Sequence, residues 1–467
     1  MNVHIFEKPG SILKLAGGTA LLLALSSGLG LMTVRNTEFM FQLSILALFV
    51  MPAFVLSLTR SQYVLPYVVS LWILGPEVRR VADWLTGVYS EVSLVSLIPQ
   101  IASLALLLAI KPLKEQLYSR VSVYLLIGAY VYASVLGIAF NKAAGAFAVL
   151  NTVTPLLVFL YLITVKQTNE WRTMVIKVYI GLAVFCSVYA WIQYMVLPAW
   201  DHFWLVGADM TSIGKAEPMG FRAFSTLNSQ VPFAIFLCTA LVPMIMNRVW
   251  RSPYGLVGVL IVVSALALTL VRGAWITLIV AIAASILFSK SKNRLRSLLI
   301  IGVIAAAGSQ LMPYIPGMDR ISSRVTTLGS IQEDYSYNDR MGMFSRALPM
   351  IMKNPLGQGF GSIGRSTILG DKGSFAGMQS VDNGYLAILS NFGAVGTLCF
   401  LLALILMYKA ARKGANPHFK ALSSTMYVQI LVIFLFVGSL SGFNAVAFWL
   451  FAALALMPEP DGIEGKE

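Results

Sequence analysis

Charge is scarce in this sequence. Only 12% of the 467 residues are charged and 58% are hydrophobic, whereas about 25% of the residues of a typical soluble domain are charged. A chain of this composition cannot cover a water-exposed surface, which excludes a soluble enzyme of two or three domains. Its apolar runs are continuous and of spanning length, unlike the alternating strands of an outer-membrane barrel. The composition therefore predicts an all-α polytopic membrane protein.

Cysteine and histidine are rare as well, with three residues of each type. The cysteines all fall in apolar runs and the histidines are scattered, so neither set has the spacing of a metal site or of a disulfide framework. We therefore expect no metal ion, no cofactor and no disulfide.

Acidic residues are outnumbered, with 20 Asp and Glu against 34 Lys and Arg and a net charge of +14. In a soluble protein this excess would indicate a nucleic-acid partner. In a membrane protein it has a simpler cause, because cytoplasmic loops accumulate lysine and arginine. We therefore expect a lipid bilayer and no nucleic acid as the surroundings of this chain.

Apolar runs of spanning length recur along the whole sequence and predict a bundle of about 12–14 transmembrane helices. The predicted spans are 12–32, 39–58, 62–75, 92–110, 121–140, 146–165, 173–196, 231–246, 254–271, 274–289, 297–311, 384–408, 422–439 and 443–457. The third and the last of these are short.

Basic clusters fall in every second loop of this arrangement, at 111–120, 166–177, 248–251, 290–296 and 409–420. This alternation predicts that those loops and both termini are cytoplasmic.

Two long loops, 197–230 and 312–383, are then external, and the second is long enough to indicate an ordered functional loop with short amphipathic helices. We divide the chain into N-terminal transmembrane helices (1–200), a core that carries both external loops (201–457) and a cytoplasmic tail (458–467).

Arg272 is the only charged residue between positions 255 and 288. At 1.5 Å per residue this run would extend about 50 Å, too long for one span, so we predict a helical hairpin with Arg272 and Gly273 in its external turn. The arginine either anchors the hairpin at the membrane interface or binds an anion at the top of the bundle. Both interpretations remain open from the residue alone.

Arg222 lies at the end of the first external loop, in GFRAFSTLNSQVPFA, shortly before a predicted span. The hydroxyl and amide side chains that follow it could hold an anion beside the start of that helix, or they could only cap the helix.

The second external loop contains a predicted helix with Phe344, Ala347, Leu348 and Ile351 on one face. Arg340 and Arg346 flank that face. The helix either lies on the external membrane surface or packs on the bundle.

Four glycines follow this helix, at 357, 359, 361 and 364, and give a backbone that can bend closely. Their GFGSIG stretch matches a dinucleotide fingerprint in form only, because no strand precedes it and no βαβ unit surrounds it.

Asp382 and Asn383 stand where this loop enters a span. Either they cap the helix, or Asp382 is a carboxylate held at the membrane face as a general base. His202 and Asp201 form a second external acid–base pair, for which the surrounding aromatic residues favour an interfacial belt instead.

The order of these segments is more specific than any one of them. It comprises RAFSTLN at 222–228, VRGAW at 271–275, NPLGQGFG at 354–361, DNGYL at 382–386 and NFGAVG at 391–396. Residues 220–400 thereby resemble the bacterial O-antigen ligase and polysaccharide polymerase family, the WaaL-like and Wzy-like integral membrane glycosyltransferases.

This resemblance implies a helical bundle in the bacterial inner membrane with its active site on the periplasmic side. Such enzymes move a glycan from an undecaprenyl diphosphate carrier to an acceptor hydroxyl, without a metal ion or a nucleotide sugar. Arg222, Arg272 and Arg340 match the arginine-bearing motifs, and arginine binds diphosphate oxygens bidentately. Arg346, Asn383 and His202 are further candidates.

One residue departs from the family pattern. Many members, the ligases especially, have His where this chain has Asp382, and that His is taken to activate the acceptor. A carboxylate can accept the same proton, so we expect Asp382 to be the base. The first hypothesis is a polymerase of lipid-linked repeat units, the second is a ligase acting on lipid A core or another acceptor, and the third is a transporter or flippase of lipid-linked sugars. A chain-length regulator and a flippase are the expected protein partners of a polymerase.

Overall fold

The structure is a computed structural model that describes residues 37–111, 117–210, 212–289, 302, 335–369, 383–414, 416–438 and 440–458. In these residues the chain forms thirteen α-helices and no strand, and the extended structure is limited to one isolated antiparallel bridge between Gly214 and Phe221. The prediction of an all-α fold is therefore confirmed.

The helices are α1 (Thr37–Leu58), α2 (Val64–Thr86), α3 (Ile98–Leu104), α4 (Leu117–Thr164), α5 (Asn169–Val196), α6 (Ala199–Ala208), α7 (Gln230–Met246), α8 (Gly255–Leu268), α9 (Arg272–Phe288), α10 (Tyr335–Met352), α11 (Gly384–Ala411), α12 (Pro417–Ile433) and α13 (Gly442–Ala453). Short 3-10 turns flank α3 at Leu94–Leu97 and Ala105–Leu108.

Four of these helices are long and apolar enough to cross a membrane, namely α1, α4, α5 and α11. Shorter apolar helices pack among them: Leu94–Leu108, α7, α8, α9 and α13. The described part of the chain is thus a multi-pass helical bundle. Two predicted spans, 12–32 and 297–311, lie outside the described residues.

The helix α4 is a hairpin rather than one rod. Lys142 has φ 49° and ψ −119°, which no helix accommodates, and the chain reverses there. Gly137 and Gly145 face each other across the reversal, so closely that a side chain on Gly145 would overlap the Gly137 carbonyl. The two spans predicted at 121–140 and 146–165 are the two arms of this hairpin.

The helix α11 contains the predicted span 384–408 and is broken within it. Gly393 has φ 64° and ψ −172°. The Thr397 hydroxyl comes within 3.5 Å of the Ile388 carbonyl oxygen, whereas nine residues of straight helix would extend about 13 Å. The chain therefore forms a short helix over 384–392 and a longer one over 394–411. Glycine permits this break because it lacks the Cβ that disfavours positive φ.

The glycine-rich segment Leu356–Ser362 lies between these two breaks. The Asn141 side chain at the tip of the hairpin donates to the carbonyls of Gln358 (2.9 Å) and Phe360 (3.0 Å). On the other side, the Gln358 amide donates to the Ser390 carbonyl at 2.9 Å, just before the break in α11. The Phe360 ring is buried against aromatic rings of α4 and α11. All four glycines of the predicted bend have positive φ, as expected for a backbone held this tightly.

The helix α2 extends eleven residues beyond the predicted span 62–75 and ends at Gly87, which has φ 69°. Its second half is polar and contains opposite charges at helical spacing, with Glu77 paired to Arg80 and Arg79 paired to Asp83. Pairs three or four residues apart lie on one side of a helix and favour its continuation. This half of α2 leads to the candidate site.

Candidate functional site

Arg272 is the first residue of α9, and the turn that precedes it, Thr269–Val271, is slightly earlier than predicted. The arginine is half-buried. The N-cap residue is Val271, whose side chain accepts no hydrogen bond. A cation at a helix N-terminus adds to the positive end of the helix dipole, an arrangement that an anion stabilises. The charge of Arg272 therefore lies at the positive end of the α9 dipole.

The segment that carries Arg222 packs directly on this turn. The Ala223 amide donates to the Leu268 carbonyl at 3.1 Å, and the Arg222 amide donates to the Ile213 carbonyl at 2.8 Å. Arg222 is half-buried as well. Arg222 of the RAFSTLN motif and Arg272 of the VRGAW motif thus lie in neighbouring backbone segments, although they are fifty positions apart in sequence.

The hydroxyls of Ser225 and Thr226 neither cap α7 nor face an open site, so both predicted alternatives were wrong for these two residues. The Ser225 hydroxyl donates to the Cys186 carbonyl at 2.6 Å, and the Thr226 hydroxyl donates to the Ile73 carbonyl at 2.8 Å. The N-cap residue Ser229 makes no side-chain cap. These hydroxyls instead attach the loop to α5 and α2.

Gln193 of α5 holds the same loop through all of its polar atoms and is fully buried. Its oxygen accepts the amides of Phe224 (3.2 Å) and Ser225 (2.8 Å), and its nitrogen donates to the Ser225 carbonyl (3.1 Å) and to Asp201 (2.9 Å). Ser225 has φ 51°, so the loop turns sharply at the residue that receives most of these bonds.

Arg80 is the centre of this buried network. Its guanidinium is fully buried and donates to the carbonyls of Ser225 and Leu227, the latter at 2.7 Å. It forms ion pairs with Glu77 and with Asp201, whose carboxylate lies 2.9 Å from Nε. The planar fork of arginine can make all of these contacts at once, which a lysine cannot. Arg80 thereby fixes the backbone three residues after Arg222.

The two carboxylates share a tyrosine. The Tyr189 hydroxyl lies 2.7 Å from Glu77 and 2.6 Å from Asp201. A hydroxyl carries one proton, so it can donate to only one of them, and the other short contact needs a carboxyl proton. One proton shared by these groups would also balance the charge of Arg80. Burial raises the pKa of Asp201, and the nearby Arg80 opposes this shift.

The start of α11 reaches the same end of the bundle through the turn Phe434–Val437. The Gly384 amide donates to the Phe434 carbonyl at 2.6 Å. A Cβ on Gly273, next to Arg272, would come within 2.8 Å of the Phe436 ring. The first turns of α9 and α11 therefore flank one short turn. We call this end of the bundle, with Arg222, Arg272 and Asn383, the arginine end.

The loop helix α10 packs on the first turns of α11. Its Ala347 and Ile351 are buried together with Leu386 of α11, whereas Phe344 remains exposed. Of the two predicted alternatives, packing on the bundle is confirmed for this face. Arg340 belongs to α10, which the structure thus brings to the arginine end.

The remaining predicted residues differ in their outcome. Asn383 is the N-cap of α11 and accepts the Leu386 amide at 3.1 Å, which confirms the capping alternative for this residue. Asp382 lies outside the described residues, as does the side chain of Arg340. Arg346 is exposed and donates to the Gly342 carbonyl of its own helix at 3.1 Å.

His202 and Asp201 do not act as a pair. His202 is exposed, whereas Asp201 is fully buried in the Arg80 network. The predicted interfacial belt was therefore wrong for Asp201. Sequence reasoning also missed Arg80, Glu77 and Gln193, and the available signal was the helical spacing of opposite charges in α2.

The described residues contain no group of three His, Cys, Asp or Glu side chains that could hold a metal ion. Where the chain is described, the three cysteines are free, and two of them are buried. Among the described residues, the arginine end carries Arg272 at a helix start and Arg222 in the adjoining loop, beside a buried network of Arg80, Glu77 and Asp201.

These features define a multi-pass α-helical membrane protein in which the segments that carry Arg222 and Arg272 meet at one end of the bundle. A family model described as O-antigen ligase (Wzy_C) matches residues 257–401, a little under a third of the chain. The match supports assignment to the O-antigen ligase and polymerase family and confirms the predicted family resemblance. It indicates a membrane glycosyltransferase of this general type.

The matched range includes Arg272, Arg340, Arg346, Asp382 and Asn383. It excludes Arg222, His202 and the Arg80 network, which precede it. No curated protein sequence matches the chain.

Proposed function

We propose that this protein polymerises undecaprenyl-diphosphate-linked oligosaccharide repeat units into a surface polysaccharide or exopolysaccharide. The reaction takes place at the arginine end, on the external face of the bacterial inner membrane. The observation that carries the proposal is the hydrogen bond from the Ala223 amide to the Leu268 carbonyl, which holds the Arg222 segment against the turn before Arg272.

A lipid diphosphate suits this pair. Two guanidinium groups offer planar forks of donors with fixed charge, and the start of α9 adds its dipole. Arg340 is the third arginine of the proposed diphosphate site, since α10 packs beside the first turns of α11. Arg346 is a peripheral contributor to the same positive field.

In the proposed reaction the acceptor hydroxyl oxygen bonds to the anomeric carbon of the donor sugar while the bond from that carbon to the diphosphate breaks. The hydroxyl proton passes to Asp382, and undecaprenyl diphosphate leaves with one more negative charge than it had in the donor. Preorganised cations accelerate a step in which such charge develops. The arginines therefore stabilise the leaving group, without a metal ion or a nucleotide sugar.

A ligase that moves finished glycan onto lipid A core or another acceptor is the alternative within the same chemistry. It uses the same donor and differs in the acceptor. Asp382 in place of the histidine of many ligases favours the polymerase. A chain-length regulator and a flippase are the partners that a polymerase of this kind would need.

A transporter or flippase of lipid-linked sugars is the alternative from another class. Transporters of this size commonly have internal repeats and place charged residues near the middle of the membrane. Among the described residues, the half-buried Arg222 and Arg272 belong to one end of the helices instead. This placement supports chemistry at the surface over transport.

The test is the product made by cells that carry Arg272→Lys or Arg272→Ala as their only copy. We expect both variants to lose long polymer and to accumulate single lipid-linked repeats, because an ammonium cannot reproduce a bidentate contact. Arg248→Lys, an exposed position at the other end of the bundle, is the matched control and should make normal polymer.

Immunoblotting establishes equal abundance of the three variants. Long chains that remain on undecaprenyl diphosphate would select the ligase. Full polymer in both Arg272 variants would refute the diphosphate site and leave Arg272 as an interface anchor.

A further inference from the structure

A cavity lies at the end of these helices opposite the arginine end. It has a volume of about 300 Å³ and is lined by the far ends of α7, α9 and α11 and the start of α12. At 1.5 Å per residue, the 17 residues of α9 separate it from Arg272 by about 25 Å. The distribution of basic loops predicts that this end is cytoplasmic.

The cavity combines a cationic rim with an apolar floor. Arg412 and His418 are exposed at the rim, and Lys420 is half-buried beside them. Met246 and Trp250 are buried in the floor. The Arg412 guanidinium lies 4.9 Å from the centre of the Phe288 ring, which holds it at the mouth of the cavity.

The helices that line this cavity carry no carboxylate. Positions 218–318 and 383–458 contain no Asp or Glu, and these two stretches supply every helix that lines the cavity. Among the described residues, the ion pairs Arg79–Asp83, Arg80–Glu77 and Arg80–Asp201 lie at the arginine end. The cations at the rim thus repel one another unless an anion comes from outside these elements.

We propose that this cavity binds the phosphodiester headgroup of an anionic phospholipid from the adjacent leaflet. The rim matches the phosphate charge, and the apolar floor matches the glycerol and ester region beneath it. Basic pockets between helix ends on the cytoplasmic side are a recurrent form of lipid site. A free phosphate ion would gain nothing from the apolar floor.

One other occupant comes from the chain itself. The last nine residues, EPDGIEGKE, are acidic. They follow the end of α13, where the Ala455 carbonyl oxygen lies close to Gly414, two residues after Arg412. The experiment therefore includes a chain that ends at Pro458.

The test measures lipid binding to the full-length purified protein by native mass spectrometry, with dioleoyl phosphatidylglycerol as the probe and dioleoyl phosphatidylcholine as the neutral reference. Arg412→Gln with Lys420→Gln removes two cations of the rim. The matched control, Lys409→Gln with Lys413→Gln, removes the same charge from exposed positions of the same helix end that do not line the cavity. The swap Arg412→Lys with Lys420→Arg keeps the charge.

We expect phosphatidylglycerol to bind in preference to phosphatidylcholine. Each rim cation contributes about fivefold to the affinity, so the double Gln variant should bind about 25-fold more weakly. The control pair and the charge-preserving swap should bind within about twofold of the unaltered protein, which also shows that these positions tolerate substitution.

Three results would overturn the proposal. An equal loss in the control pair would mean diffuse attraction to the whole basic surface. Displacement of the lipid by an equal concentration of inorganic phosphate would mean a site for free anions. Binding that requires removal of the residues after Pro458 would make the acidic tail the occupant.

Discussion

Arg80 and Arg79 are adjacent arginines of α2 that contact different parts of the protein. Arg80 holds the Ser225 and Leu227 carbonyls of the loop that carries Arg222, whereas Arg79 contacts Asp83 and the Ser90 carbonyl. Only the first should affect a diphosphate bound at Arg222. Variants of these two neighbouring arginines can therefore distinguish a residue that positions Arg222 from one with a purely structural role.

We predict that Arg80→Lys raises the KM for the lipid-linked donor by about tenfold or more, because a charged hydrogen bond contributes about 1.5–3 kcal/mol and a lysine keeps at most part of the set. Arg79→Lys should leave the KM within about twofold. The measurement is polymer synthesis by purified variants at several donor concentrations. A loss of active protein with an unchanged KM would mean that Arg80 serves folding alone.

Variants of Asp382 and Asn383 can distinguish a catalytic role from a helix-capping role in the same way. We predict that Asp382→Asn lowers polymer synthesis by about 100-fold or more, since a general base contributes that much to a rate. Asn383→Ser keeps an oxygen that can cap α11 and should stay within about twofold. Product analysis in cells distinguishes the outcomes, and normal chain length in the Asp382→Asn strain would refute the base.

Among single residues, isolated charged side chains could be predicted from the sequence more readily than members of buried hydrogen-bond networks. Arg272 could be found because it is alone in an apolar run. Arg80 was missed because its span was predicted to end at 75, and because its partners Ser225 and Leu227 lie 145 and 147 positions away. Local patterns carry no information about contacts of that separation.

Among the helices, the break of α11 is the feature that hydropathy could not reveal. The run from 384 to 408 is apolar throughout, and its pattern does not report that Gly393 has positive φ. The hairpin at Lys142 could be predicted, because the run from 121 to 165 is too long for one span and is interrupted by polar residues. Hydropathy therefore locates a span by its length but does not report a break in its backbone.

We predict that Gly393→Ala unfolds the junction between α11 and the glycine-rich segment. A Cβ there would collide with the Leu356 backbone, and positive φ adds about 1 kcal/mol or more for any residue with a Cβ. Melting temperature in detergent and polymer yield should both fall. Gly128→Ala is the control, because a Cβ at Gly128 meets nothing within 4 Å, and helical Gly→Ala substitutions tend to stabilise. Equal melting temperatures would contradict the role of the break.

The orientation of the whole molecule in the membrane can be tested by labelling. Ser345 of α10 and Ser252 between α7 and α8 are both exposed, and the basic clusters predict them on opposite sides of the membrane. In intact cells an impermeant thiol reagent should label Ser345→Cys and spare Ser252→Cys. The unaltered chain, whose described cysteines are at most partly exposed, measures the background. The reverse labelling would move both the arginine end and the cationic cavity to the wrong sides.

The division of the chain at residue 200 stays a prediction, and hydrogen bonds cross that boundary. Arg80 of α2 binds the loop before α7, and Asn141 of α4 binds the segment before α11. Sequence composition could identify the bundle and its likeness to a family. It could not predict which distant segments contact each other, because every part of the chain is similarly apolar.

The glycine-rich segment has a consequence for biosynthesis. Its hydrogen bonds to Asn141 join positions 217 and 219 residues apart. At roughly 5–20 residues per second, a ribosome needs on the order of 10–40 s to reach Gln358 after it has made the α4 hairpin. During that interval Gly137 and Gly145 lack the backbone of Gly359–Gly361 that packs against them in the finished protein. The insertion machinery therefore handles a chain whose α4 hairpin is incompletely packed until this segment emerges. A translational pause before Gln358 would prolong that incompletely packed state.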